Sequence, residues 1–148
     1  MKKLKIKLLV FILVFGVFMS LLAPLDTFAA KKSKGITPDE LTQITTTINS
    51  LMKKIYASSL FSPKDNEQLI DIKLKLDTAL ETGGKDPSLP QLFYNAGFIY
   101  KEREFRDDAI ECFKIILDNF PESLYSVKSI NELKKMGVKI ETPTNQGG

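Results

Sequence analysis

The chain has 148 residues, with 21 Lys and Arg against 18 Asp and Glu, one cysteine and no histidine. That inventory excludes Ser-His-Asp and Cys-His catalysis, zinc sites that use histidine, cysteine-only zinc sites and any internal disulfide. No enzymatic activity and no cofactor are expected. Cys112 reads most simply as a small buried helix residue, the sharper alternative being a disulfide to another chain.

The first element is a leader. Lys2, Lys3, Lys5 and Lys7 are followed by an apolar run from Leu8 to Ala23, broken only by Gly16 and Ser20, then by Pro24 and the small residues of Thr27-Phe28-Ala29-Ala30. This is the order of a secretory signal peptide, so residues 1–30 predict an exported, periplasmic or secreted bacterial protein, cut after Ala29 or Ala30. The alternative is that residues 8–23 stay as an inner-membrane anchor. The run is short for that role, since a spanning helix needs about 20 residues. No cysteine near the cut invites lipid attachment. Setting aside the four leader lysines and Asp26 brings the remaining basic and acidic residues into balance, and beyond Lys31, Lys32 and Lys34 the chain is acidic. Nucleic acid needs a basic patch on the domain itself and is not expected as a partner.

Residues 31–36 form a polar linker, and 37–140 read as one helical domain. Thr37-Pro38-Asp39-Glu40 predicts a helix start with a capping box. Leu41, Ile44, Ile48, Leu51 and Ile55 then fall on one face as far as about Ser58. Ser62-Pro63-Lys64-Asp65 repeats the start signal. The second helix runs to about Thr82, carrying Leu69, Ile72, Leu76, Ala79 and Leu80, with Ile70 and Leu74 flanking. Gly83-Gly84 stops it; the glycine-spaced prelude of a phosphate loop is missing. A third helix is predicted over 90–103. The fourth covers 106–119, with Ala109, Ile110, Phe113, Ile116, Leu117 and Phe120 inward. The fifth covers 122–136, with Leu124, Val127, Ile130 and Leu133, and is closed by Gly137. Asp107, Asp108 and Glu111 are read as charges favourable to a helix start, and Glu102 to Arg106 as a solvated turn. Residues 141–148 read as a disordered tail.

Phe93, Ala96, Gly97 and Tyr100 have the spacing aromatic-x2-small-Gly-x2-Tyr, and Ala109, Phe113 and Pro121 follow at matching offsets. Over residues 90–123 this resembles the tetratricopeptide repeat (TPR), with its 34-residue period. In that reading Gly97 and Ala109 let two helices approach, while Phe93, Tyr100 and Phe113 fill the space around them. Two departures stand in the turn: Glu104 sits where the family usually has Gly, and the turn aromatic, Phe105, comes one place early. The stretch from Asn119 to Tyr125 also looks like repeat boundaries in envelope proteins of this family. Pro87 precedes Pro121 by one period, so the first two helices resemble a divergent repeat with Ala79 in the place of Phe113. The fifth helix reads as a capping helix.

The expected fold is therefore all-α: antiparallel helical hairpins stacked as a short TPR-like solenoid of about five helices. The resemblance implies a protein-interaction module, an adaptor or assembly factor in the bacterial envelope, binding a peptide or helix of another protein. The first helix of each repeat lines the groove in this family, which makes Tyr94, Phe98, Lys101, Tyr125 and Lys128 the candidate partner-binding residues. A clamp of Lys and Asn around a C-terminal carboxylate is not supported, because Tyr94 and Phe98 take the matching places. Two alternatives are a homodimer formed through the seam of residues 41–55 and occupation of the groove by the chain's own first helix.

Overall fold

The structure is a computed structural model, which describes residues 36–83 and 86–140. Residues 1–35, 84, 85 and 141–148, on which the expected signal peptide, most of the linker and the tail fall, lie outside the described residues. Five helices follow one another: α1 Pro38–Tyr56, α2 Pro63–Glu81, α3 Leu89–Glu102, α4 Arg106–Asn119 and α5 Leu124–Lys135. The described residues contain no strand.

The two first starts are chemically alike. Thr37 and Ser62 each accept a hydrogen bond from the backbone N–H three residues on, and Glu40 and Asp65 reach back to the cap N–H, with Pro38 and Pro63 opening the helices. Both boxes satisfy donors that a helix start would otherwise leave bare. Asp65 does more than cap. Its carboxylate also takes the Lys54 ammonium at 2.6 and 2.7 Å, closing the α1–α2 hairpin. The Lys54 hydrogen bond, with those from Ser62, holds the Asp65 carboxyl down at about 2 against an ordinary 3.8. A depressed carboxyl adds stability that is complete above its unfolded value and is lost as pH falls toward the folded one. Melting temperatures followed from pH 4 to pH 2 should thus drop less steeply in Asp65→Asn than in the parent.

Helix ends share a second device. After α5, Val138 N–H donates to the Leu133 carbonyl and Gly137 N–H to that of Lys134, with Gly137 at φ 72°. The same pair of bonds closes α3, from Phe105 to Tyr100 and from Glu104 to Lys101, but the left-handed position is Glu104, at φ 64°. The turn thus keeps the backbone that glycine would favour, with a side chain that disfavours it. Glu104→Gly should stabilise by roughly 0.5–1 kcal/mol, seen as a Tm rise of a few degrees.

Packing follows from the apolar stripes. Ile44, Ile48 and Leu51 of α1 are buried, as are Leu69, Ile72, Leu76 and Ala79 of α2. From α3 come Leu89, Leu92, Phe93, Ala96, Ile99 and Tyr100, and from α4 Ala109, Cys112, Phe113 and Ile116. These form one core, with Leu41 and Ile55 packed against it. Within the chain, the seam of residues 41–55 thus buries Ile44, Ile48 and Leu51 and leaves Leu41 and Ile55 partly exposed. Each helix packs against the next, while α1 lies beside α3 and α3 beside α5. This is a short solenoid of antiparallel hairpins in which α1, α3 and α5 share one layer. Tyr94 pairs with Tyr125, and Lys101 with Glu132, at the same sequence offset, so α3 and α5 run parallel.

Gly97 sits at the tightest crossing: a Cβ there would lie 2.9 Å from Phe113 Cε1 and 3.0 Å from Cys112 Cβ. The close approach of α3 and α4 expected at Gly97 is present, and Ala109 is fully buried beside it. Cys112 is buried, and burial pushes its thiol up to about 12. The Tyr100 hydroxyl donates to the Leu69 carbonyl at 3.3 Å, linking the second hairpin to the first.

One face differs from its expectation. On α5, Leu124 and Val127 are 82% and 64% exposed, while Ser126, Ser129 and Glu132 are buried with Leu133. The small serines face the protein, and the apolar pair faces out because no described helix follows α5 to cover it. The turn after α3 is solvated as expected, with Glu102, Glu104 and Arg106 exposed. It also makes contacts: Arg103 stacks over the Phe61 ring at 4.7 Å, and Arg106 donates to the Met136 carbonyl, so the turn touches the α1–α2 connection and the end of α5.

Candidate functional site

The shared layer of α1, α3 and α5 carries a row of aromatic rings. Tyr56, at the end of α1, lies 6.2 Å from Phe98 on α3, measured between ring centroids. One helical turn earlier on α3, Tyr94 lies 5.5 Å from Tyr125 of α5 and 5.7 Å from the buried Phe113. Tyr94 and Phe98 stand at i, i+4 on α3, so the ring pairs Tyr56–Phe98 and Tyr94–Tyr125 lie along one face of that helix.

Lysines lie over these rings. Lys101 Nζ is 4.7 Å from the Phe98 centroid. Lys128 Nζ is 4.8 Å from Tyr125 and 5.9 Å from Tyr94. The quadrupole of each ring attracts the ammonium above it. All five residues expected to bind a partner therefore stand together on one surface. Tyr94, Phe98, Lys101 and Tyr125 are half-buried and Lys128 is exposed.

Glu132 anchors the lysine end of this surface. It is buried, yet accepts from Lys101 at 2.8 Å and from Lys135 at 2.7 Å. Burial pushes its carboxyl up, but the two ammonium groups prevail and hold it below its ordinary value. Burial likewise works against the Lys101 ammonium, and hydrogen bonds to Glu132 and Glu102 outweigh it. Burial raises the Tyr94 hydroxyl, and the Glu132 charge adds to that rise. The surface is an aromatic strip flanked by the Lys101 and Lys128 ammonium groups, the first of them paired with Glu132.

Two contributors were not expected from the sequence. Tyr56 is 73% exposed at a helix end, outside the apolar stripe of α1. Glu132 stands in a mixed-charge stretch, where only its constant offset from the Lys101 position, matching that of Tyr94 and Tyr125, marks it. Helix α1 lies beside α3 but contributes only Tyr56 to the ring row, so Tyr94, Lys101 and Tyr125 are not roofed by it in any ring or ion-pair contact.

Among the described residues no three His, Cys, Asp or Glu side chains come together as a metal site, and no helix is long and apolar enough to cross a membrane. Comparison with protein-family models, with curated proteins and with solved structures finds no match for this chain.

Proposed function

We propose that this chain is an exported protein-interaction module, a TPR-type adaptor or assembly factor of the bacterial envelope, which grips a peptide or helix of a partner protein on the shared face of α1, α3 and α5. The observation that carries the reading is the pair of ring contacts Tyr56–Phe98 and Tyr94–Tyr125 along one face of α3, with Lys101 and Lys128 above them. Aromatic side chains held half-open by neighbours bury large area on contact at little entropic cost, which is why they dominate binding hot spots. An amphipathic helix or an extended apolar segment is the form of ligand that such a strip fits.

Export is supported by the residue order of positions 1–30, and the stacked hairpins and the close packing at Gly97 support the repeat reading. If residues 8–23 were retained, the same module would work tethered to the inner membrane. The reading includes no enzymatic step and no cofactor.

Tyr94→Ala combined with Phe98→Ala should weaken capture of the partner at least tenfold, the scale of about 2 kcal/mol for a hot-spot pair. Co-purification from cells, with far-UV circular dichroism to show that the variant stays folded, reads the effect. A folded double variant that retains its full complement of bound protein would overturn the groove.

A further inference from the structure

Helices α5 and α2 each leave an apolar pair outside the core. Leu124 and Val127 stand three apart on α5, and Ile70 and Leu74, 62% and 64% exposed, stand four apart on α2. At these spacings each pair shares a face and makes a short apolar ridge. We propose that each ridge is covered by the other ridge of a second copy, so that α5 of one copy lies along α2 of the next and the chain assembles head to tail.

Charge selects this pairing over the alternatives. Helix α5 carries three lysines against the buried Glu132, while α2 carries five acidic residues against three lysines. Two α5 faces brought together would set Lys128 and Lys134 against their own counterparts, and two α2 faces would do the same with Glu67 and Glu81. Like charges juxtaposed across an interface oppose both contacts. One α5 on one α2 joins opposite signs instead. Lys134, Glu67 and Glu81 are exposed and make no ion pair among the described residues, so each can take a partner across the contact.

Register agrees with charge. With the two helices parallel and Val127 set against Leu74, Asn131 falls opposite Thr78 four residues on, and Lys134 falls opposite Glu81 seven residues on, all of them exposed. Leu124 then lies beside Ile70. Steps of four and seven keep to one face of a helix, so these pairs line up over two turns. Ile70 borders a hollow with Tyr100 and Phe105, and Leu74 borders another with Ile36 and Ala79. The α2 ridge thus has open space beside it, as ridge-into-groove packing of a facing helix requires. The two faces differ, so the contact is heterologous: it repeats from copy to copy and ends only by closing into a ring.

Sedimentation velocity of the protein as isolated from cells, over a concentration series, should show association beyond the monomer that weakens as salt is added. Val127→Asp and Leu74→Lys should each sediment as monomer, because each removes one side of the contact. Both positions are exposed, and circular dichroism checks that the folds are kept. The mixture of the two decides the matter. Val127→Asp retains an intact α2 face and Leu74→Lys an intact α5 face, so together they should form a one-to-one dimer and nothing larger. Lys134→Glu should weaken association several-fold, and adding Glu81→Lys to the same chain should restore it. Tyr94→Ala with Phe98→Ala should leave association unchanged, which separates this contact from the groove. A parent that stays monomeric, single variants that associate like the parent, a mixture that stays monomeric, or association lost with the groove pair would each overturn the assignment.

Discussion

Phe113→Ala should remove about 3–5 kcal/mol of stability, the range for deleting a buried phenylalanine. Phe113 has no exposed surface, lies against Gly97, and carries the Tyr94 ring at 5.7 Å. Helices α3 and α4 make the closest pairing in the fold, so the cavity cannot be closed without moving one of them. Against a total stability of about 5–15 kcal/mol, the loss leaves the domain marginal. Urea unfolding should show a large fall in midpoint with an unchanged slope, since the surface exposed on unfolding hardly differs. The same substitution removes the floor under Tyr94, so partner binding should weaken along with stability.

Gly97 gives the second large effect, through too much volume instead of too little. Its missing Cβ would meet Phe113 Cε1 at 2.9 Å and Cys112 Cβ at 3.0 Å, and neither neighbour can withdraw because both are fully buried. Overfilling a packed core costs about 1–3 kcal/mol. Alanine regains about 1 kcal/mol of helix propensity over glycine. Gly97→Ala should therefore lose roughly 0–2 kcal/mol net, and Gly97→Leu should fail to fold to the native state. Adding Phe113→Leu to Gly97→Ala should cost less than the sum of the two changes, because the shorter side chain makes room for the methyl. A Gly97→Ala protein more stable than the parent would mean that the helices do not meet there.

What was legible in the sequence was what local chemistry decides. The capping boxes at Thr37 and Ser62 place α1 and α2 within two residues, because both partners of each box lie three positions apart. The spacing of Phe93, Ala96, Gly97, Tyr100, Ala109 and Phe113 was legible for a similar reason: burial of small and aromatic residues at one crossing leaves a fixed period. The inward face of α5 was not. Leu124 and Val127 belong to an apolar stripe, and a stripe alone does not say whether a helix is present to cover it. Ser126, Ser129 and Glu132 look like surface residues until Lys101 and the small side chains are seen to turn that edge inward. Tyr56 was missed because it stands past the last stripe position of α1 and gains its neighbour, Phe98, from a helix far along the chain. At the turn, the sequence marked Glu104 as the wrong residue, and the backbone takes the glycine conformation regardless, because the two closing hydrogen bonds from Glu104 and Phe105 require it.

The central claim is that the face built by Tyr56, Phe98, Tyr94 and Tyr125 holds another protein. The measurement that bears on it most directly is photo-crosslinking in intact cells, with a photoreactive amino acid placed at Phe98 or Tyr125 and, as control, at Lys114, an exposed position on α4. The expected result is one and the same adduct from Phe98 and Tyr125, to a protein other than this chain, and no such adduct from Lys114. Adducts joining two copies of the chain, or none from either groove position, would contradict it.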